Sequence, residues 1–325
     1  MNLSKLKNWI VYSIIMVVII AALLSFFIDL RQLNKILQTF NYSLLPIIIF
    51  LAPLNYFFRF CKWHFYLKLI GVNLIIRESL VIFFSGLSMT ITPGKLGELL
   101  KSYMLKNKYA VSMSVTAPLV FTERLTDAIS LLILSCIGLL VLPYGVIALI
   151  VLASFMIIGV ILIQRRNLCL HLIQLLSKLP VFKEKVQYLY DFYNSTYILF
   201  KWDNLLFAVT IGVVSWAFEG FVAYFSLLAM GYHIHPLASI FVVSFSSIVG
   251  ALSLLPGGLI TTEGSIMGLL LLMKYPKTVA AGVTIITRMS TLWLGVGIGF
   301  LFLLFAVKRG YLDTKDAIDV STSAS

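Results

Sequence analysis

Residues 237–273 read LASIFVVSFSSIVGALSLLPGGLITTEGSIMGLLLLM. The run to Leu255 carries no charge, and the run from Leu259 to Met273 carries only Glu263. Between them stands Pro256-Gly257-Gly258. Proline removes a backbone donor and crowds the preceding turn, and glycine costs a helix about 1 kcal/mol relative to alanine. An apolar helix therefore has to break in the middle of this stretch. Irregular backbone at membrane depth is tolerated only inside protein or along a wet cavity. The stretch predicts a segment that enters a membrane, breaks and returns.

The rest of the chain supplies the membrane. Of 325 residues 60% are hydrophobic and 12% charged, with net charge +12, and the mean hydropathy is +1.01. Soluble domains average about 25% charged residues, so an ordinary soluble enzyme, a disordered chain and a free nucleic-acid binder are excluded. Residues 9–28 (WIVYSIIMVVIIAALLSFFI) give an uncharged run long enough to cross a bilayer. That run exceeds a signal peptide's apolar core, which predicts an uncleaved first helix. Further long runs fall at 43–60, 112–142, 144–163, 204–230 and 278–307. The expectation is an all-α polytopic membrane protein of about six spans plus two broken re-entrant segments. Reading each broken segment as two spans gives eight or more instead.

The second break comes earlier in the chain. Residues 79–92 (SLVIFFSGLSMTIT) end at Pro93-Gly94, followed by Lys95-Leu96-Gly97-Glu98. Arg124 follows Pro93 by 31 residues, and Arg288 follows Pro256 by 32. Ala117 and Ala281, like Arg124 and Arg288, lie 164 apart. A break, an acid and an arginine recurring in order predict an internal repeat, about 43–142 and about 204–307. Together with an interfacial segment at about 165–202, the repeats form one membrane domain over 1–310. The tail from Tyr311 to Ser325 reads as disordered.

With the N-terminus in the cytoplasm, 19 of the 25 basic residues fall inside and four (Arg31, Lys35, Lys274, Lys277) outside. Positive charge concentrates on the cytoplasmic side of membrane proteins. Both termini are then cytoplasmic, and three crossings separate the broken segments, so the repeats should be inverted.

Charged residues within spans cost about 2.5–3.5 kcal/mol each and usually face one another or a cavity. Glu98, Glu123, Arg124, Asp127, Glu219, Glu263 and Arg288 are such residues. A half-helix starting near Leu96 or Leu259 would present unpaired N–H groups to phosphate or carboxylate, and an arginine on a neighbouring span would clamp phosphate in bidentate fashion. The plainer alternative is an internal salt-bridge set, with Arg124 and Asp127 at i,i+3 and Glu98 and Glu263 as first-turn acids. His233 and His235 read as a turn before Pro236 rather than as metal ligands. Lys62 and His64 read as headgroup anchors at a helix end. Gly295 and Gly299 read as a close-packing pair. No metal or cofactor motif is recognisable.

At SMTITPGKLGELLKSYML (88–105), TERLTDAISLL (122–132) and SLLPGGLITTEGSIMGLL (253–270) the chain resembles the lysylphosphatidylglycerol synthase transmembrane, flippase-like family. Members show T-P-G-[KR]-x-G-E, E-R-x-x-D and P-G-G-x-x-x-x-E-[GA] in that order. The resemblance covers roughly 5–308 and implies a stand-alone membrane unit without the soluble aminoacyltransferase domain. Carried over by motif, the positions of interest are Pro93, Gly94, Lys95, Gly97, Glu98, Glu123, Arg124, Asp127, Pro256, Gly257, Gly258, Glu263 and Arg288. The expected activity is translocation of a phospholipid or lipid-linked headgroup across the cytoplasmic membrane. Anionic inner-leaflet lipids are the expected surface partner, not nucleic acid. The alternatives are an accessory subunit of a cell-envelope lipid or glycan pathway, or a membrane-embedded transferase.

Overall fold

In the computed structural model, residues 34, 38–92, 97–142, 145–178 and 186–312 are described. The expected first span at 9–28 lies outside them, as do Pro93, Gly94 and Lys95. Among the described residues every regular element is helical: α1 (Leu45–Leu69), α2 (Ile76–Leu87), α3 (Leu100–Tyr109), α4 (Met113–Gly138), α5 (Val146–Gln164), α6 (Arg166–Ser177), α7 (Val186–Leu199), α8 (Trp202–Ala229), α9 (Pro236–Leu252), α10 (Thr261–Leu272), α11 (Lys277–Arg288) and α12 (Leu294–Lys308). A π-helical turn at Met289–Trp293 joins α11 to α12. Local signals set several starts. Proline stands in the first turn of α1 and of α9, where its missing N–H is no loss. The Ser112 hydroxyl accepts the Ser114 N–H ahead of α4, and the His235 ring accepts the Leu237 N–H ahead of α9 (3.2 Å). His235 is thus a helix cap, and the turn reading of the His pair holds.

Helical segments Tyr42–Leu69, Val146–Gln164, Trp202–Ala229 and Lys277–Lys308 are long and apolar enough to cross a membrane. The 26-residue α4 has the length as well, about 39 Å at 1.5 Å per residue, but holds three charges. All five spans expected after the first therefore coincide with helices. The region 165–202 is occupied by α6 and α7, and α7 packs beside α4.

Both broken segments are hairpins whose ends meet. Lys108 at the end of α3 pairs with Glu78 at the start of α2 (3.4 Å). In the second hairpin the Tyr275 hydroxyl, beyond α10, donates to the His233 carbonyl, before α9 (2.7 Å). The helices leading into the hairpins, α1 and α8, run antiparallel. The Asn41 N–H, ahead of α1, donates to the Ala229 carbonyl at the end of α8 (2.8 Å), while Phe65 near the end of α1 meets Phe207 near the start of α8 (4.4 Å between rings). The hairpins consequently open in opposite directions.

Equivalent residues meet where the two halves touch. Asn55 Nδ2 donates to the Ser215 carbonyl (2.8 Å), and Phe58 stacks on Phe218 (5.7 Å). Each pair is 160 residues apart. Self-contact of equivalent positions marks a two-fold axis, here a pseudo-dyad between α1 and α8. The turns after the two helices repeat at the same offset, with Gly71 (φ 81°) and Gly231 (φ 80°) both left-handed.

Each hairpin packs on the last long helix of the other half. The α9 helix lies against α4, with Ser135 and Ser244 hydroxyls 3.0 Å apart and no room for a Cβ at Gly138 beside Phe241. The α2 helix lies against α12, where Phe84 stacks on Phe302 (5.0 Å) and a Cβ on Gly299 would sit 2.9 Å from the Phe84 carbonyl oxygen. The close-packing reading of Gly299 is therefore met by α2. Of the tail expected to be disordered from Tyr311, only Tyr311 and Leu312 lie among the described residues, and they are ordered parts of the fold. Tyr311 and Leu312 are buried, and the Tyr311 ring lies 3.4 Å from the Lys108 ammonium. A cation–π contact and apolar cover hold these two residues to the first hairpin.

Candidate functional site

The break in the second hairpin is a tight turn. Gly257 and Gly258 both take left-handed φ (61° and 65°), a conformation glycine adopts without steric cost. The helix resumes at Thr261, two residues later than Leu259, with Glu263 in its first turn. Arg288, at the end of α11, binds both sides of the break. Its Nε donates to Glu263 Oε1 (2.6 Å) and its Nη2 to the Gly257 carbonyl (2.8 Å). The π-helical turn follows at once, and the Thr291 carbonyl within it accepts from the Tyr56 hydroxyl of α1. Such turns shift the register of a helix and recur at functional positions.

The first hairpin repeats the pair and adds to it. Arg124 Nη2 lies 3.2 Å from Glu98 and 3.2 Å from Asp127. Asp127 also meets Lys62 (2.5 Å) and Arg59 (3.9 Å). Lys101 bridges Glu98 (3.6 Å) and Glu123, with its ammonium 4.6 Å from the Trp63 ring centre. Gly97 closes the descent, its N–H donating to Thr92 Oγ1 (2.8 Å). Among the described residues this joins four cations to three carboxylates, nearly all of them buried. A buried charge is stable only when it is paired and hydrogen-bonded.

The hairpin tips meet at the pseudo-dyad. Ile91 of the first tip touches Gly257 of the second. Beside this contact lies a cavity of about 220 Å³. Both tips wall it, through Thr90 and through Gly257 and Gly258, and so do the equivalent arginines 124 and 288. Arg59, Asp127, Trp216 and Glu219 also line it, with Ser247, Thr262 and Thr291. Three guanidiniums and two carboxylates line it, and behind them Glu98 and Glu263 are paired with Arg124 and Arg288.

The sequence-derived residues largely converge here. Glu98, Glu123, Arg124 and Asp127 form one network, and Gly257, Glu263 and Arg288 form its counterpart. Pro256 opens the break and Gly258 follows it. The salt-bridge alternative for Arg124 and Asp127 is also met, so pairing and cavity lining coexist. Lys62 is a correction. It is fully buried on Asp127 instead of reaching a headgroup, because α1 continues to Leu69 and carries Lys62 inward. Its neighbour His64 bonds to the Ser79 hydroxyl (3.1 Å). Sequence reasoning also missed Arg59 and Lys101. Two signals pointed to them: the aromatic run around Arg59 and Lys62 prolongs the apolar helix, and Lys101 sits three residues after Glu98.

This architecture defines a polytopic helical membrane protein with two inverted, broken-helix hairpins around a central charged cavity. The profile of the lysylphosphatidylglycerol synthase TM region matches residues 13–299, and the chain belongs to that family. A UPF0104 membrane protein of Methanocaldococcus jannaschii is 24% identical over 236 residues, 69% of this chain and 95% of the relative. A second UPF0104 membrane protein of that organism is 24% identical over 331 residues, 94% of this chain and 96% of the relative. One from Methanothermobacter thermautotrophicus is 26% identical over 138 residues, 39% of this chain and 41% of the relative. No solved structure matches the chain.

Proposed function

We propose that this protein is a flippase-like transporter that moves a phospholipid or lipid-linked headgroup across the cytoplasmic membrane. The observation that carries the reading is the cavity walled by both hairpin tips and both equivalent arginines. Inverted repeats with discontinuous helices around one site are the arrangement in which rocking one unit against the other exposes the site to each side in turn. Guanidiniums hold phosphate through paired, charge-assisted hydrogen bonds, and the start of α10 adds the positive end of a helix. Glu98 and Glu263, each paired with its arginine, can release that arginine to the substrate phosphate. The protein acts as a carrier, not an enzyme, and transport is ion-coupled or passive.

In this reading both hairpins are re-entrant, the first opening to the cytoplasm and the second to the outside, with both termini cytoplasmic. The distribution of basic residues supports it. Removing the buried Arg59, Lys62 and Lys101 from the nineteen assigned inside still leaves sixteen against four. The basic face then meets anionic inner-leaflet lipids, worth about 1 kcal/mol per lysine or arginine. The test is movement of a fluorescent phospholipid in vesicles containing the purified protein. Arg124→Ala/Arg288→Ala should slow it by at least about tenfold, the factor set by losing one charge-assisted bond. Equal rates overturn the mechanism.

A further inference from the structure

The tip of the second hairpin is apolar on the outside and self-contained on the inside. Leu252, Leu254, Leu255 and Ile260 are 65%, 68%, 42% and 53% exposed. Leu254 (φ 56°) and Ile260 (φ 70°) hold left-handed backbone, which bulky residues avoid and which collects at functional positions. Several polar groups of the tip are satisfied from within. The Ser253 hydroxyl donates to the Gly250 carbonyl (2.7 Å) and shares a bond with Thr261 Oγ1 (3.0 Å). The Gly258 N–H donates to the Leu255 carbonyl (2.9 Å), and the Gly258 carbonyl accepts from Thr261 (3.0 Å). A loop bathed in water needs no such closure, whereas one in contact with hydrocarbon does.

The tip also lies deep. Arg288, which binds the Gly257 carbonyl, comes eleven residues after Lys277 in the continuous segment to Lys308. At 1.5 Å per residue that is about 17 Å, half of a roughly 30 Å hydrocarbon layer. The described part of the first hairpin's tip differs. Ser88 and Thr90 at its tip are buried, with hydroxyls returned to the Ser85 and Leu87 carbonyls (2.6 and 2.8 Å).

Leu254 and Leu255 belong to both environments, since they are exposed outward and also wall the cavity that holds Arg124 and Asp127. We propose that this tip is an acyl-chain portal: a phospholipid seats its phosphate among the cavity arginines while its chain leaves over Leu254 and Leu255 into the bilayer. The inference deepens the transport reading and rests on it for the headgroup. The second hairpin opens on the side away from its tip, so the portal faces the leaflet toward which the tip points. With the N-terminus in the cytoplasm, the cavity as seen is loaded from the cytoplasmic leaflet.

The test uses the full chain in phosphatidylcholine nanodiscs doped with dioleoylphosphatidylglycerol carrying a mid-chain diazirine. Adducts after illumination are mapped by peptide mass spectrometry. Labelling should concentrate on 252–260 over Phe155 of α5, which is an exposed position of a lipid-facing helix. It should fall by about tenfold in Arg124→Ala/Arg288→Ala, because the arginines fix the headgroup. Leu254→Gln/Leu255→Gln, at two exposed positions, should slow translocation by about fivefold at unchanged melting temperature. Equal labelling of the tip and α5, or labelling indifferent to the arginines, overturns the portal. Translocation with uniform labelling removes the portal and keeps transport. Tip-selective, arginine-dependent labelling without translocation keeps the portal and removes transport.

Discussion

Glu263→Gln and Arg288→Met, made singly and together, separate a structural lock from a working pair. Removing one member of a buried ion pair costs about 3–5 kcal/mol, because the other charge is stranded. The Arg288 side chain retains the Gly257 carbonyl and 13% exposure, so Glu263→Gln falls near the lower figure. The Glu263 side chain is 3% exposed, so Arg288→Met falls near the upper one. The double variant buries no charge and loses chiefly the bond to Gly257, about 1 kcal/mol. It should therefore be more stable than either single variant. Unfolding in detergent, followed by tryptophan fluorescence, reads the difference. At about 2 °C per kcal/mol, each single variant melts at least 6 °C lower and the double within a few degrees of wild type. Phospholipid movement in vesicles reads the rest, and the double variant should stay at least about tenfold slow. Additive losses in stability refute the coupling. A double variant that recovers both stability and transport refutes the role in transport and leaves a lock.

Lys62→Met removes one of three cations around Asp127, which keeps Arg124 and Arg59, so it should cost about 3 kcal/mol, whereas a headgroup anchor would lose under about 0.5 kcal/mol, and thermal unfolding tells them apart. Gly138→Leu and Gly299→Leu overpack equivalent contacts between the halves, so each should destabilise by about 1–3 kcal/mol or more. A variant that melts like wild type contradicts the close approach of α9 to α4 or of α2 to α12. Single cysteines at Arg77 and Lys274, on a background lacking the native three, should react with an impermeant maleimide from opposite sides of sealed vesicles. Labelling from one side removes the inverted orientation.

Long uncharged runs and the doubled Pro-Gly break were enough to read the helical membrane class and the repeat, because both follow from local hydropathy and backbone chemistry. The pair Glu98–Arg124 and its counterpart Glu263–Arg288 were legible as charges too costly to leave unpaired. Arg59, Lys62 and Lys101 were not. At a helix end, hydropathy gives the same score to a lysine that reaches water and to one turned inward by α8 and α4. Only the antiparallel packing of α1 on α8 decides which occurs. Tyr311 escaped for a related reason: its partner, Lys108, is supplied by a hairpin two hundred residues earlier. Leu254 and Leu255 look like ordinary span residues in the sequence, and become distinctive only through exposure beside a charged cavity, with left-handed backbone at Leu254.

The two halves share a Pro-Gly break and an acid–arginine pair, and differ in the charges around that pair. By the offset of Asn55 and Ser215, Arg59 corresponds to Glu219, and by that of Arg124 and Arg288, Asp127 corresponds to Thr291. Identical halves would give two end states of equal energy. Here the first hairpin is held to α4 through Glu98–Arg124 and Lys101–Glu123, and α4 is held to α1 through Asp127 and Lys62. The second hairpin is held to its following helix by Arg288 alone among the described salt bridges. With each additional buried pair costing about 3–5 kcal/mol to break, the first hairpin is the anchored element. The second, held by one such salt bridge, is expected to open more readily. Local opening energies are measured by amide exchange, which ranges from near zero in mobile segments to the global stability in anchored ones. Amides of Ser102–Leu105 in α3 should therefore exchange more slowly than those of Gly264–Met267 in α10. Faster exchange in α3 would reverse the assignment of anchor and moving part.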